Sequence, residues 1–271
     1  ADRSMDGTKF LRENVALKGQ LKNISELVEK LEIQASRNTI FHTMSEAMRG
    51  NPNSYMDVTH ETNALRLVSD LNLRSSTKAK LGVDYSLYGQ TGKIGNNTVS
   101  AWEAALNVGY IFSPKFKATA GYEFLSGKDQ GSTSTMVKSF APIFGTNHAF
   151  NGFMDYFYVG NHANSVGLND ISLKLDFPIN KVNVSVAPHF FSAPNKIISG
   201  GVEQESYLGT EIDLTASYKL YKDIMLTAGY SQMFATDSMV ALKGGTGLND
   251  TTNNWAYLMV NINPQIFSTK K

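Results

Sequence analysis

Two groups of residues in this chain are of types that could do chemistry. His189 and Asp213 could act as a base and its partner if neighbouring strands carried them, and His148, Asp155 and His162 lie in one loop where they could ligate a metal ion. The loop spacing matches no zinc pattern, so we expect loop hydrogen bonds there. His189 and Asp213 alternate onto polar strand faces, where lining a lumen explains them equally well. The sequence therefore predicts no enzyme, no catalytic residue, no metal site and no cofactor.

Cations on the polar strand faces indicate a different chemistry, the passage of anions. Fixed positive charges in a narrow wet pore raise the local concentration of negative solutes. We predict that this lining is built from Arg66, Lys80, Lys117 and Lys174. The alternative is that each cation pairs with a carboxylate on a neighbouring strand and holds the shape of the sheet. Both interpretations stay open at this point.

A loop over residues 140–161 is unusually rich in aromatic side chains and low in net charge, so it must bury its rings somewhere. It could fold into a lumen as a constriction or plug, or pack against the neighbouring loops 192–207 and 236–253. The residues assigned to constriction or sugar contact are Phe140, Phe144, Phe150, Phe153, Tyr156, Phe157 and Tyr158. Because stacked aromatic rings also form sugar platforms, the last three are candidates for carbohydrate contact.

The composition excludes several classes of protein. With 25 basic and 24 acidic residues the net charge is +1, so no nucleic-acid partner is expected. The chain has no cysteine, which excludes disulfides and thiolate chemistry. It has no apolar run of about 18 residues and no apolar stretch after its polar start, so neither a transmembrane helix nor a signal peptide is expected. A soluble fold and a membrane β-barrel remain, since barrel strands are only half apolar.

From Asn63 onward, apolar and polar residues alternate in about nine segments of the length that a tilted transmembrane strand needs. Short turns alternate with long loops rich in Gly, Asn, Ser and Thr, as in outer-membrane barrels. The expected short turns are 74–78, 113–115, 178–181 and 220–223, and the expected long loops are 89–98, 126–165, 192–207 and 236–253. A secreted β-sandwich is the alternative. The nearly uncharged outer faces and the one-sided long loops favour the barrel.

Residues 1–62 are ambiguous. Apolar residues at helical spacing between positions 17 and 31 would form an amphipathic helix followed by a long loop over 38–62, but the same segment also alternates as a β-hairpin. The strand count from Asn63 onward is odd, and a hairpin leaves it odd. Because closed bacterial barrels have an even number of strands, we expect this chain to be the C-terminal portion of a larger barrel. The two segments are therefore 1–62 and 63–271, the latter carrying barrel strands with long extracellular loops.

The segment 139–170 reads SFAPIFGTNHAFNGFMDYFYVGNHANSVGLND and closely resembles the signature loop of the alginate export family of outer-membrane barrels, in the branch found in Bacteroidota. Segments 121–130, 208–214, 229–239 and 254–267 resemble the same family in the same order. The resemblance covers most of the chain from Asn63 to the C-terminus and is weak before it. It implies a monomeric barrel that passes an anionic polysaccharide or a similar solute.

Together these observations predict an all-β protein, an antiparallel transmembrane β-barrel of the outer-membrane type. We expect a channel for a hydrophilic, anionic poly- or oligosaccharide. The alternative is a non-conducting barrel that serves as a structural anchor or a binding platform. The expected partners are outer-membrane lipid, the anionic saccharide and a periplasmic protein.

Overall fold

The computed structural model describes residues 6–46, 51–74, 79–142, 146–162, 165–245 and 253–264. Its strands are β1 Asp6–Lys22, β2 Val28–Glu46, β3 Asn51–Arg74, β4 Ala79–Ile94, β5 Asn97–Ser113, β6 Phe116–Leu125, β7 Leu168–Ile179, β8 Val182–Ser192, β9 Ile198–Ser199, β10 Val202–Glu203, β11 Tyr207–Tyr221, β12 Ile224–Ala235 and β13 Asn253–Ile262. Two short helices are α1 Val159–His162 and α2 Asp237–Lys243. All strands except β9 and β10 form one antiparallel sheet of 11 strands in chain order, which confirms the predicted all-β, antiparallel fold class.

The alternation in the sequence becomes two distinct faces of the sheet. Register pairs Leu65 with Leu87 on one face and Arg66 with Ser86 on the other. The apolar face leaves large side chains such as Leu87 and Trp102 exposed. An exposed apolar band on the outside of a sheet is what contact with lipid requires.

The nine strands expected from Asn63 onward are present within the described ranges as β3 to β8 and β11 to β13. The turns predicted at 113–115, 178–181 and 220–223 are short, and the loops predicted at 126–165, 192–207 and 236–253 connect strands at the opposite end. In the turn expected at 74–78, residues 75–78 lie outside the described residues. No helix in the described part of the chain is long and apolar enough to cross a membrane.

The expected loop at 89–98 is wrong, because β4 continues to Ile94 and β5 begins at Asn97. Register pairs Thr91 with Ser100, and a two-residue turn with Gly95 at φ +56° joins the strands. Such a turn needs a left-handed backbone, which glycine adopts freely. Strands that extend beyond the apolar layer are polar on both faces, so their sequence resembles that of a loop.

The segment left open between a hairpin and a helix forms a hairpin. β1 and β2 pair antiparallel, with Leu17 opposite Ala35, and the turn begins at Asn23 with φ +52°. β2 reaches residue 46 and β3 begins at residue 51, so strands replace the long loop considered over 38–62, and β3 runs through the boundary at residue 63. In this region Arg37 pairs with Glu61 across β2 and β3, which explains why the alternation of apolar residues fades there.

The hydrophobic core lies at the long-loop end of the sheet. Its members include Leu125, Phe157, Leu168, Phe191 and Leu208, all nearly without solvent contact. These residues come from strand ends and from the loop between β6 and β7. The long loops are therefore packed structure, and they fix the positions of the side chains at that end.

Candidate functional site

The loop between β6 and β7 returns onto the polar face of the sheet. We call its residues 139–162 the inner loop. On one side, Gln90 of β4 donates to the carbonyl of Ala141 at 2.6 Å and accepts from the N–H of Ala141 at 3.0 Å. On the other side, the N–H of Met154 donates to Glu211 of β11 at 2.8 Å. Since one loop contacts both β4 and β11, the sheet curls around it, and the polar face is the lumen face.

Five carboxylates, which we call the acidic belt, lie in the long-loop half of the lumen on β5, β6, β7 and β11, and the inner loop contacts several of them. They are Glu103, Glu123, Asp170, Glu211 and Asp213. Asp170, Glu211 and Asp213 have 3%, 0% and 2% of their surface exposed. The N–H of Phe153 donates to Asp213 at 3.2 Å, and the Asn151 amide donates to Asp170 at 3.3 Å. Buried carboxylates need donors, and the loop supplies them.

His189 and Asp213 do come together, as their polar positions allowed. The His189 Nε2 lies 3.8 Å from Asp213, its Nδ1 lies 2.9 Å from Asp170, and its ring stacks on Phe191 with centroids 5.7 Å apart. The hydroxyl of Ser231 donates to Asp213 at 2.5 Å. This cluster lies beneath the inner loop and supports it.

Gly152 allows the inner loop to approach the belt closely. Its φ is +85°, and a Cβ on it would lie 2.6 Å from the Glu211 carboxyl carbon. Glu211 Oε2 is buried and has no hydrogen-bond partner within the described ranges. A side chain at position 152 would therefore force the loop away from β11.

The predicted loop aromatics divide into buried and exposed rings. Phe157 has 1% of its surface exposed and lies between Phe191 and His162, with centroids at 4.5 and 5.2 Å. Phe140 is also buried, with its ring 6.3 Å from that of Tyr88. Both rings therefore hold the loop in place. The rings with solvent contact are the exposed Phe150 and the partly buried Phe153, Tyr156 and Tyr158, whereas Phe144 lies outside the described residues.

Lys243 at the end of α2 fastens the inner loop from above. Its Nζ donates to the carbonyl of Tyr156 and to that of Asn161, the latter at 3.0 Å. The same Nζ lies 3.1 Å from His162 Nδ1 and 5.0 Å from the centroid of the Phe157 ring. Burial lowers the pKa of Lys243 to about 8. Burial, and then the charge of Lys243, lower the pKa of His162 to about 3. His162 is therefore neutral at pH 7 and accepts from Lys243 while its Nε2 contacts the Gly167 carbonyl at 3.0 Å.

The sequence analysis did not find α2 or Lys243, although a local signal was present. Thr236 caps the helix by accepting from the N–H of Met239, and Gly244 ends it at φ +66°. A Thr before an amphipathic turn and a Gly after a terminal Lys are helix-end signals. No pattern in the sequence could indicate that Lys243 reaches Tyr156.

The histidines weighed as metal ligands contact different residues. His148 donates its backbone N–H to Asp155 at 2.7 Å and stacks on Trp255 of β13 at 4.3 Å, so it ties the loop to another strand. His162 contacts Lys243 instead. Among the residues that the structure describes, no group of three or more His, Asp or Glu side chains is placed to hold a metal ion.

The four predicted lumen cations lie in the half of the lumen near the short turns, which we call the basic end. Arg66 binds Asp84 through two nitrogens, one of them at 2.9 Å. Lys80 lies 2.5 Å from Glu29, and Lys174 lies 3.8 Å from Asp176. Lys117 has no carboxylate within 4.0 Å in the described part of the chain. Lys117, Lys174 and Asp176 line one open space together.

Comparison with known proteins gives one family match. A family model described as alginate export matches residues 32–249. The match begins in β2, so it also includes strands before Asn63, where the resemblance in the sequence was weak. A search of curated protein sequences finds no match.

The chain also aligns with solved structures of outer-membrane proteins. The chain aligns with a copper transporter, OprC, at 15% identity and a TM-score of 0.45, covering 88% of this chain and 49% of the other. It aligns with the outer membrane protein OprD from Pseudomonas aeruginosa at 13% identity and 0.49, covering 92% and 75%. It aligns with the NanC porin at 10% and 0.45, covering 96% and 100%. The chain thus spans about half the length of the copper transporter.

Proposed function

We propose that the protein, which belongs to the alginate export family of outer-membrane channels, carries a hydrophilic, anionic poly- or oligosaccharide. The observation that supports this solute is the open space at the basic end. There Lys117 and Lys174 share an open space with one carboxylate, that of Asp176, which lies 3.8 Å from Lys174. Lys117 also lines a neighbouring space with Lys80, Glu29, Asp70 and Asp84. Exposed cations with weak partners leave a positive potential for a passing anion.

The acidic belt does not oppose this proposal. Asp170, Glu211 and Asp213 are buried, and their oxygens accept from the inner loop. A solute that passes the loop meets the outer surface of the loop at this level. The exposed cations that it meets are those of the basic end. The similarity of segment 139–170 to the Bacteroidota branch of the family supports a placement of the chain in that branch.

The test is ion selectivity in planar bilayers. We expect the wild-type chain to prefer anions in a salt gradient, and the Lys117→Glu, Lys174→Glu variant to lose that preference several-fold or to reverse it. The matched control is Lys181→Glu, Lys222→Glu, which makes the same charge change in two exposed turns away from that space. Equal selectivity in the wild type and the lumen variant would refute the anionic solute.

The non-conducting barrel is a second candidate, and one observation favours it. The inner loop is fixed to β4 at Gln90, to β11 at Glu211 and to β13 at Trp255, so it crosses the lumen. A loop fixed at three points could close the passage and offer a binding platform. Bilayers that show no conductance steps with wild-type protein, but show them when the loop is released, would favour this candidate.

A further inference from the structure

A pocket remains between the inner loop and the lumen wall of β2 to β6, and we call it the mouth pocket. Its wall includes Thr62, Tyr88, Gln90, Phe140, Phe150 and Tyr158. Two carboxylates of the acidic belt, Glu103 and Glu123, also line it. The basic end does not include this pocket, and the pocket's lining residues Thr62 and Phe150 take no part in fastening the loop.

The aromatic side chains give the mouth pocket apolar surfaces for a flat ligand. Phe150 has 58% of its surface exposed although it is a large apolar ring. Tyr88 and Phe140 form a second aromatic surface, with interplanar angle 57°. Aromatic walls with a few fixed polar groups are typical of small-ligand sites. The C–H faces of a pyranose ring fit such surfaces.

An unpaired hydroxyl in the wall indicates that a polar ligand belongs there. Thr62 has 5% of its surface exposed, and its Oγ1 has no hydrogen-bond partner among the described residues. An unpaired buried hydroxyl is costly, and a hydroxyl ligand would supply the missing partner. The adjacent Gln90 hydrogen-bonds to Ala141 and makes no hydrogen bond to Thr62.

The polar groups of the mouth pocket decide which sugar it takes. Its lining includes the carboxyl groups of Glu103 and Glu123, and its described lining includes no Lys or Arg. The nearest lumen cation along β3, Arg66, is held by Asp84. Carboxyl oxygens accept hydrogen bonds from hydroxyl groups, whereas a uronate would find no cation here to replace its lost hydration.

We propose that the mouth pocket binds an uncharged glycosyl unit through ring stacking and through hydroxyl groups that donate to its wall. The inference rests on the proposed saccharide solute and specifies it further. The solute carries neutral sugar units, which bind at the mouth pocket, as well as acidic units, which pass the basic end. Selection by the channel then depends on both kinds of unit.

The experiment measures binding of hexasaccharides to the full chain in detergent by titration calorimetry and saturation-transfer NMR. The probes are neutral hexamers of glucose, mannose and N-acetylglucosamine, and a uronate hexamer. We expect at least one neutral hexamer to bind more tightly than the uronate. Phe150→Ala should weaken that binding roughly ten-fold, and Thr62→Val roughly five-fold. Thr119→Val, at a lumen position near the basic end, is the matched control and should leave binding unchanged.

Either of two results would overturn the proposal that the mouth pocket binds a neutral glycosyl unit. One is that no neutral hexamer binds, or that the uronate binds as tightly as the best of them. The other is that neither Phe150→Ala nor Thr62→Val weakens binding. Because Phe150 is exposed, its variant tests the pocket even if Thr62→Val fails to fold. Ion selectivity in bilayers is measured independently of hexasaccharide binding. Anion selectivity without sugar binding would refute the mouth pocket alone. Sugar binding without anion selectivity would refute the anionic channel alone.

Discussion

The two halves of the lumen face use charge in different ways. In the acidic belt, Asp170, Glu211 and Asp213 are buried and hold the inner loop through N–H donors. At the basic end, Arg66 and Lys117 are exposed; Arg66 pairs with a carboxylate on the neighbouring strand, and Lys117 has none within 4.0 Å in the described residues. All of these residues occupy equivalent polar positions on their strands.

Burial explains the difference. A buried charge must have partners, and removing its partners is costly. An exposed ion pair contributes little to stability because water screens it, but its field still acts on a passing solute. We therefore expect substitutions in the acidic belt to change structure first and conductance as a consequence. Substitutions at the basic end should change selectivity and leave the structure in place.

The largest structural effect should come from Gly152→Ala. The new Cβ would meet the Glu211 carboxyl group at 2.6 Å in a backbone with φ +85°. We expect the inner loop to leave the belt, with a free-energy cost above about 2 kcal/mol. Chymotrypsin should then cleave the loop at least about thirty-fold faster. Single channels should show a higher conductance.

Gly131→Ala is the matched control for this clash. Gly131 has a similar φ of +79°, but no atom lies within 4 Å of a Cβ built there. The control carries the backbone strain without the collision. Equal cleavage rates in the two variants would show that contact with Glu211 does not hold the loop.

Acid should also release the inner loop, through His162. Its folded pKa of about 3 lies below the ordinary value of 6.5, so the unfolded junction binds more protons between these values. The stability of the junction is complete above pH 6.5 and is lost as the pH falls toward 3. Cleavage of the loop should accelerate by up to about ten-fold per pH unit across this window.

The control for this pH effect is His162→Gln, which places a hydrogen-bonding amide at the position that does not titrate. The described titratable group facing His162 is Lys243, which stays protonated throughout this pH window because its pKa is about 8. If the glutamine variant shows the same acid acceleration as the wild type, His162 does not cause it.

Much of this arrangement could be predicted from the sequence, and the limits have physical causes. Alternation placed Arg66 and Asp213 on the polar face, because the side-chain period of a strand is two. It could not separate their roles, since burial depends on where the inner loop returns. The donors that select Asp213 and Glu211 are backbone N–H groups, which leave no mark in the sequence pattern. The strand ends around residue 94 were expected to form a loop because they are polar on both faces, so no apolar alternation marks them as strands.

A smaller structural effect is expected from Glu211→Gln with Asp213→Asn. The substitutions keep the shape of both side chains and replace carboxyl acceptors with amides. We expect the weaker hydrogen bonds of the two changes together to cost about 1 kcal/mol. Loop cleavage should therefore rise several-fold, less than for Gly152→Ala. An unchanged cleavage rate would contradict the role of the belt, and Asp176→Asn at the basic end serves as the control for a lost carboxylate.

The smallest structural effect should come from Asp84→Asn at the basic end. Asp84 and Arg66 are both partly exposed, so losing their ion pair should change the free energy of unfolding by less than about 1 kcal/mol. Arg66 would then keep a charge that no neighbour balances, and bilayer measurements should show a stronger anion preference. Adding Arg66→Gln to Asp84→Asn should remove that gain, because it removes the unbalanced charge. If Asp84→Asn accelerates cleavage of the inner loop as much as the belt variants do, the two halves are coupled, and the division between a structural belt and a functional basic end fails.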